Sequence, residues 1–220
     1  MSRKRLAVLI SGRGSNLQAL IDAARAQDYP AEIALVVSNL ANAPGLGLAE
    51  GAGIETEVID HRAFGKGAAG KEAFEAALAA AVDARRIDYL CLAGFMRLLS
   101  AAFVGRFDGR ILNIHPSLLP AFKGLNVHEA MLAAGVKVAG CTVHFVTAGM
   151  DEGPIIGQAA VAVLPNDTAD ALAQRILAEE HKLYPTCVKL LCEGRARLEG
   201  GRVIFETVSG AGPPLHNPRA

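Results

Sequence analysis

An excess of either charge is missing from this chain: 22 lysines and arginines stand against 22 aspartates and glutamates, a formal net charge of +0 over 220 residues. The balance gives no electrostatic basis for wrapping nucleic acid or holding to an anionic membrane surface, so neither is expected as a partner. Long apolar runs are missing too. The basic start Met1-Ser2-Arg3-Lys4-Arg5 leads into Leu6–Ile10 in the manner of a signal peptide. That run stops at Ser11-Gly12, too short for a signal core, and no other stretch is long enough to span a bilayer. A cytoplasmic location is the expectation. Cysteine is sparse, at Cys91, Cys141, Cys187 and Cys192, with neither a CxxC pair nor histidines at zinc spacing. Reduced core thiols are therefore expected, rather than a disulfide frame or a metal. There is also no internal repeat and no low-complexity linker. What is present is 51% hydrophobic residues, enough to bury a core, and a small-molecule partner is the natural default.

The apolar runs are short and evenly spaced. Leu6–Ile10 reads as a buried strand that passes through Ser11-Gly12-Arg13-Gly14-Ser15-Asn16 into a helical pattern at Leu17, Leu20, Ile21 and Ala24. Further strands are predicted at Ile33–Val37, Ile54–Ile59, Asp88–Ala93, Ile111–His115, Ala139–Val146 and Ile155–Val163. Helices are predicted after Pro44, over Lys71–Arg86, over Val127–Ala134 and over Asp167–Leu191, where Pro185 should kink or end a turn. Gly65–Gly70 reads as an exposed loop, Arg197–Ile204 as a hairpin turning at Gly200-Gly201, and the residues from 209 as a loose tail. This alternation predicts an α/β fold, a mostly parallel twisted sheet with helices on both faces. Ligands in such sheets collect beyond the carboxyl ends of the strands, where Gly14, Met96, Arg97, Asn113 and His115 all fall.

Two stretches carry chemistry. In the first, the glycines of Ser11–Asn16 allow a tight turn and close approach of a ligand. Free amides at the helix start, with the Ser15 hydroxyl and Asn16 amide, then form an anion cradle. The pattern is neither G-x-G-x-x-G nor a P-loop with its lysine, which favours a single phosphate monoester over a dinucleotide or a nucleoside triphosphate. In the second, Ile111-Leu112-Asn113-Ile114-His115-Pro116 places Asn113 and His115 on one face of a strand that Pro116 stops. A carboxamide that cannot titrate beside an imidazole that can suits acyl-type chemistry, by holding an oxyanion and passing a proton. Asp151, on the loop Thr147–Gly153, is the carboxylate expected to set the charge and tautomer of His115. His144 reads either as a satisfied sheet histidine or as a neighbour of His115, and Glu179, Glu180 and His181 either as a solvated helix face or as a carboxylate aimed into a cleft.

Taken in order, Ser11-Gly12-Arg13-Gly14-Ser15-Asn16, Leu92-Ala93-Gly94-Phe95-Met96-Arg97, Asn113-Ile114-His115-Pro116-Ser117-Leu118-Leu119-Pro120 and Asp151-Glu152-Gly153-Pro154 closely resemble the phosphoribosylglycinamide formyltransferase family. These are folate-dependent enzymes of purine biosynthesis with a Rossmann-like formyltransferase fold. The resemblance covers nearly the whole chain. It implies a single formyltransferase domain over 1–220, with a phosphate-binding half at about 1–100 and a folate and catalytic half at about 101–208. The implied reaction passes the formyl group of 10-formyltetrahydrofolate, a cosubstrate, to the primary amine of glycinamide ribonucleotide, giving formylglycinamide ribonucleotide. Asn113, His115 and Asp151 are implied as catalytic. Gly14, Ser15 and Asn16 are implied for the phosphate and Glu180 for the ribose. Lys71, Met96, Arg97, Leu98, Leu99, Thr147, Ala148, Gly149 and Met150 are implied for the folate. No metal is implied, and a monomer or homodimer is expected. Two positions depart from the family pattern. Lys71 stands where an arginine is common and loses the bidentate fork, and Ala148 stands where an acidic residue is common. Other readings are a formyltetrahydrofolate hydrolase, which uses the same three polar residues on water, and a non-catalytic nucleotide- or folate-sensing module. The hydrolase usually carries an N-terminal regulatory domain, and this chain starts its first strand at Leu6. A methionyl-tRNA formyltransferase would call for a further C-terminal domain and a basic surface.

Overall fold

The structure, a computed structural model, describes residues 3–206 together with Leu215 and Asn217. The loose tail expected from residue 209 lies, those two residues apart, outside the described residues. Seven strands form one mostly parallel sheet in the order β3-β2-β1-β4-β5-β6-β7, and the chain divides into two compact units, Met1–Asn113 and Ile114–Ala220.

In the first unit β1 (Lys4–Ile10) is the central strand, flanked by β2 (Ala31–Ser38) and β4 (Tyr89–Leu92). β3 (Thr56–Val58) lies beyond β2, and β5 (Ile111–His115) pairs with β4. All of these pairings are parallel. Leu6, Ala7, Val8, Leu9 and Ile10 are each 0% exposed, the unbroken apolar run of a strand covered on both faces. The connections run through α1 (Ser15–Ala24), α2 (Gly45–Gly51), α3 (Gly67–Ala84) and α4 (Ala101–Arg106). From β1 the chain winds outward through β2 to β3, then returns to β4 and β5 on the other side. Right-handed crossovers therefore put α1 and α2 on one face and α3 and α4 on the other. The reversal of winding between β1 and β4 opens a crevice at their carboxyl ends.

The second unit contains the antiparallel pair β6 (Val138–Phe145) and β7 (Ile155–Ala162), with α5 (Val127–Ala133) and the long α6 (Ala169–Cys192). α6 buries Leu172, Ile176, Glu180, Tyr184 and Val188, one residue per turn at a spacing of four, and packs on both β6 and β7. Its approach depends on Gly157 in β7, where an added Cβ would stand 2.7 Å from the Cys187 Sγ. The hairpin of β8 (Ala196–Glu199) and β9 (Arg202–Phe205) closes through Gly200 and Gly201 at φ 56° and 78°, the positive angles that a two-residue turn requires.

One expectation needs correction. Gly65–Gly70 is not wholly a loop, since α3 begins at Gly67 and Gly70 is buried in its first turn. Glycine is a poor helix former, so the sequence carries no helical signal there. Yet a Cβ on Gly70 would stand 2.5 Å from the Gly65 carbonyl oxygen, so only glycine lets the helix start against the preceding turn. α6 runs through Pro185 to Cys192, close to the extent predicted for it. A short helix unforeseen in the sequence, α4, is capped by the Ser100 hydroxyl on the Phe103 amide.

Candidate active site

The crevice between β1 and β4 holds the first predicted stretch. A cleft of about 340 Å³ is lined by Ser11–Asn16 together with Ala93, Gly94 and Met96. Gly14 caps α1 at φ 78° and offers no side chain to the first-turn amides, so those N–H groups face the cleft with the positive end of the helix dipole behind them. The turn is held by the approach of two glycines. A Cβ on Gly14 would stand 2.8 Å from the Gly45 Cα, one on Gly45 would stand 2.6 Å from the Ile10 Cδ1, and the Gly45 amide donates to the Gly12 carbonyl at 3.1 Å. Ser11 ties the floor together: its hydroxyl donates to the Asn39 side-chain oxygen at 2.5 Å and accepts from the Met96 amide at 2.8 Å. Gly45, Asn39 and the bonding role of Ser11 escaped the sequence reading because their signal is proximity alone. Arg13, exposed on the rim, adds a cation that the sequence reading quoted but did not single out.

Lys71 and Arg97, predicted on separate elements, line one basin of about 510 Å³ at the start of α3. Met96 and Leu98 are exposed. Ser100, next to Leu99, is anchored through its amide and hydroxyl to the buried carboxylate of Glu75, the amide at 2.7 Å. That buried anchor fixes the segment on which Arg97 rides.

The second predicted stretch lies on β5 and the loops after it. Asn113 and His115 are alternate residues of β5, with Asn113 in register with Leu92 of β4. His115 is 5% exposed. Its Nε2 donates to the Phe122 carbonyl at 2.9 Å, and its Nδ1 lies 3.5 Å from the Asp151 Oδ2. The Phe122 carbonyl fixes the proton on Nε2, which leaves Nδ1 turned toward the carboxylate. Asp151 is held in turn by the Gly124 amide, which donates to Oδ2 at 2.9 Å, and by its neighbour Glu152, paired with Lys123 at 2.8 Å. Asp151 sits at φ 53° and Phe122 at φ 54°, left-handed angles that cost free energy for a residue with a side chain, most of all for a bulky one. Both angles belong to residues that bond or face His115.

His144 proves to be a second imidazole against the same carboxylate. It is 2% exposed, its Nδ1 donates to the Phe145 carbonyl at 2.9 Å, and its Nε2 lies 3.8 Å from the Asp151 Oδ1. Burial holds its pKa below the ordinary histidine value, against the opposing pull of the Phe145 hydrogen bond and the Asp151 charge.

The loop Thr147–Gly153 is pinched at its base, where the Phe145 amide donates to the Pro154 carbonyl at 2.9 Å. Gly153 is required there, since a Cβ would stand 1.7 Å from the Phe145 carbonyl oxygen. Ala148 and Met150 are exposed on the loop, Thr147 and Gly149 are half-buried, and the Met150 methyl lies beside Gly124. On α6, Glu180 is 5% exposed whereas Glu179 pairs with Lys182 at 2.8 Å, which resolves the helix face left open by the sequence. Burial pushes the thiols of Cys141 and Cys187 up to about 12, as expected of inert core cysteines.

The chain is similar to known proteins over most of its length. Residues 4–188 match the family model described as formyl transferase. The chain is 43% identical over 193 residues to the phosphoribosylglycinamide formyltransferase of Escherichia coli (strain K12), covering 88% of this chain and 89% of that protein. It is 50% identical over 206 residues to the trifunctional purine biosynthetic protein adenosine-3 of Bos taurus, covering 93% of this chain; it spans only 20% of that relative's length. Among solved structures, glycinamide ribonucleotide transformylase 1 from Symbiobacterium toebii superposes with a TM-score of 0.88 at 52% identity, covering 92% of this chain and 94% of that one.

Proposed function

The chain belongs to the formyl transferase family, and from that premise we propose that it moves the formyl group of 10-formyltetrahydrofolate to the primary amine of glycinamide ribonucleotide. The observation that carries the reading is the pair of His115 and Asp151, at 3.5 Å, with the second ring nitrogen bonded to a backbone carbonyl and the carboxylate bonded to a backbone amide. Such a pair orients the imidazole in a buried setting, where it can stabilise an oxyanion and pass a proton.

In this reading the amine nitrogen attacks the formyl carbon and a C–N bond forms. The carbonyl oxygen becomes an oxyanion, which the Asn113 amide and His115 stabilise, His115 exchanging its Phe122 carbonyl partner for the substrate oxygen. The bond from the carbon to the folate nitrogen then breaks as the proton lost by the amine passes, with Asp151 as relay, to that nitrogen. Tetrahydrofolate and formylglycinamide ribonucleotide leave. Gly14, Ser15 and Asn16 receive the phosphate on helix amides, and the buried carboxylate of Glu180 receives the ribose hydroxyls. Lys71 and Arg97 meet the acidic end of the folate, while Met96, Leu98, Leu99 and the loop Thr147, Ala148, Gly149 and Met150 line its pterin. The two halves of one formyltransferase domain divide the work, phosphate on the amino-terminal side and acid–base chemistry on the other. Placement in the cytoplasm is part of the same proposal; among the described residues no helix is long and apolar enough to cross a membrane.

The test is the absorbance change on conversion of 10-formyltetrahydrofolate, measured with and without glycinamide ribonucleotide, on the parent and on Asp151→Asn. Turnover that requires the ribonucleotide and falls by about 10²- to 10³-fold in the variant is expected. Turnover without the ribonucleotide would make the protein a hydrolase. Binding of both ligands with no turnover would make it a sensor.

A further inference from the structure

The Phe122 carbonyl that orients His115 is carried by a segment held in place by side chains with no part in the chemistry described above. On β6, Gly140, Thr142 and His144 alternate onto one face. The segment after Pro116 lies on that face: a Cβ on Gly140 would stand 2.8 Å from the Leu118 Cδ2, and Thr142, 0% exposed, bonds the backbone on either side of Leu118. Its hydroxyl donates to the Ser117 carbonyl at 2.7 Å and accepts from the Leu119 amide and from the Gln158 Nε2, each at 3.0 Å. Gln158 stands directly opposite Thr142 on β7 and gives a second proton to the Leu119 carbonyl at 2.9 Å. Farther along, the buried Ser117 hydroxyl donates to the Ala121 carbonyl at 2.7 Å.

A hydroxyl has one proton and two lone pairs, and a carboxamide nitrogen has two protons. The Thr142 hydroxyl and the Gln158 nitrogen are therefore used to capacity, with nothing left to offer a substrate. Their bonds pin Ser117 and Leu119, Ser117 pins Ala121, and the chain then enters Phe122 at φ 54° with its carbonyl 2.9 Å from the His115 Nε2. We propose that Thr142 and Gln158 are positioning residues of the acid–base site: by fixing the backbone from Ser117 to Ala121 they set where the Phe122 carbonyl stands, and with it the direction in which the His115 Nε2 proton points. Neither touches a reacting atom. Their effect on turnover rests on the formyl-transfer reading, in which that proton turns to the substrate oxygen; their hold on the ring does not.

The test pairs kinetics with a readout of the ring itself. Thr142→Val keeps the bulk of the side chain and removes the hydroxyl, leaving a buried amide and a buried carbonyl without their partner. kcat should fall about tenfold to a hundredfold, the scale on which a misplaced reacting group costs rate, while the KM for the ribonucleotide stays within about twofold of the parent. Thr142→Ser restores the hydroxyl and should return kcat to within about threefold. Gln158→Glu is made at an exposed position, where folding is not at stake, and sets a carboxylate against the Leu119 carbonyl in place of two donated protons; a fall in kcat of about three- to tenfold is expected. Parent kcat in both Thr142→Val and Gln158→Glu, or a serine variant as slow as the valine one, would overturn the proposal. Ring-selective proton–nitrogen NMR reads the same hold without turnover. The parent should show slowly exchanging ring protons on the His115 Nε2 and the His144 Nδ1, each bonded to a carbonyl at 2.9 Å. In Thr142→Val the His115 signal should be lost to exchange and in Thr142→Ser it should return, with the His144 signal kept in both. Loss of both signals in the valine variant would mark a general loosening of β6 and overturn the proposal, as would retention of both. No turnover by the parent, together with selective loss of the His115 signal in the variant, would sink the formyl-transfer reading and leave the positioning role standing.

Discussion

The glycine cradle of Ser11–Asn16 and the cluster of His115, Asp151 and His144 are built from opposite materials. In the cradle the groups offered to a ligand are backbone amides, fixed by a left-handed glycine and by two glycines packed at contact distance. No protonation change alters them, and their strength is set by geometry and the helix dipole. In the cluster the groups gathered are titratable side chains, and the backbone holds them: one carbonyl for each imidazole and one amide for the carboxylate. A part that recognises a fixed charge can be made of permanent dipoles. A part that must gain and lose a proton needs side chains, and it needs the backbone to fix their tautomers.

The comparison breaks most sharply at the acid. Asp151→Asn keeps the shape and the Gly124 bond but replaces the carboxylate that faces the His115 Nδ1 at 3.5 Å. Turnover should drop by about 10²- to 10³-fold with little change in the KM for the ribonucleotide, as steady-state kinetics will show. Gly14→Ala should do the reverse. Its φ of 78° and the 2.8 Å approach to Gly45 leave no room for a methyl, so KM for the ribonucleotide should rise about tenfold or more while the pH profile of kcat keeps its shape.

Gly153→Ala tests whether the cluster depends on its loop. The 1.7 Å clash with the Phe145 carbonyl forces the backbone apart next to Asp151. A loss of about 1–3 kcal/mol in denaturant unfolding is expected, accompanied by reduced kcat. A smaller effect separates the two regions by pH. Burial lowers the pKa of His144 in the folded chain, so below the ordinary histidine value, near 6.5, the unfolded chain binds this proton more readily than the folded one. Stability is therefore undiminished above that value and falls as pH drops through it, by up to about 1.4 kcal/mol per pH unit for this one proton. Unfolding midpoints at pH 7.5 and 5.5 should show the fall, and His144→Gln should reduce it.

Much of this was legible in the residues. The strand runs, the Gly-x-Gly-Ser-Asn turn and the alternation of Asn113 with His115 are local patterns, and each predicted a local structure that the chain adopts. Asp151 was foreseen as a carboxylate on a loop, though its distance of 36 residues from His115 gave no measure of how they meet. That meeting depends on the Gly124 amide and on left-handed backbone at Phe122 and Asp151, for which the sequence offers no marker. His144 remained ambiguous for the same reason, and Glu180 differed from Glu179 only by the side of α6 on which it lies.

By itself, then, the sequence determined the α/β class, the order of the strands and of every helix but α4, and the two stretches proposed to carry chemistry, because hydrophobic period, glycine turns and proline stops act over a few residues. The tertiary structure alone decided which side chains share a cavity. The face-to-face glycines 14 and 45, the pairing of Asp151 with His115 and the meeting of Arg97 with the cations at the start of α3 each join residues distant in the chain. Such contacts follow from packing, and packing is settled only when all the elements are in place.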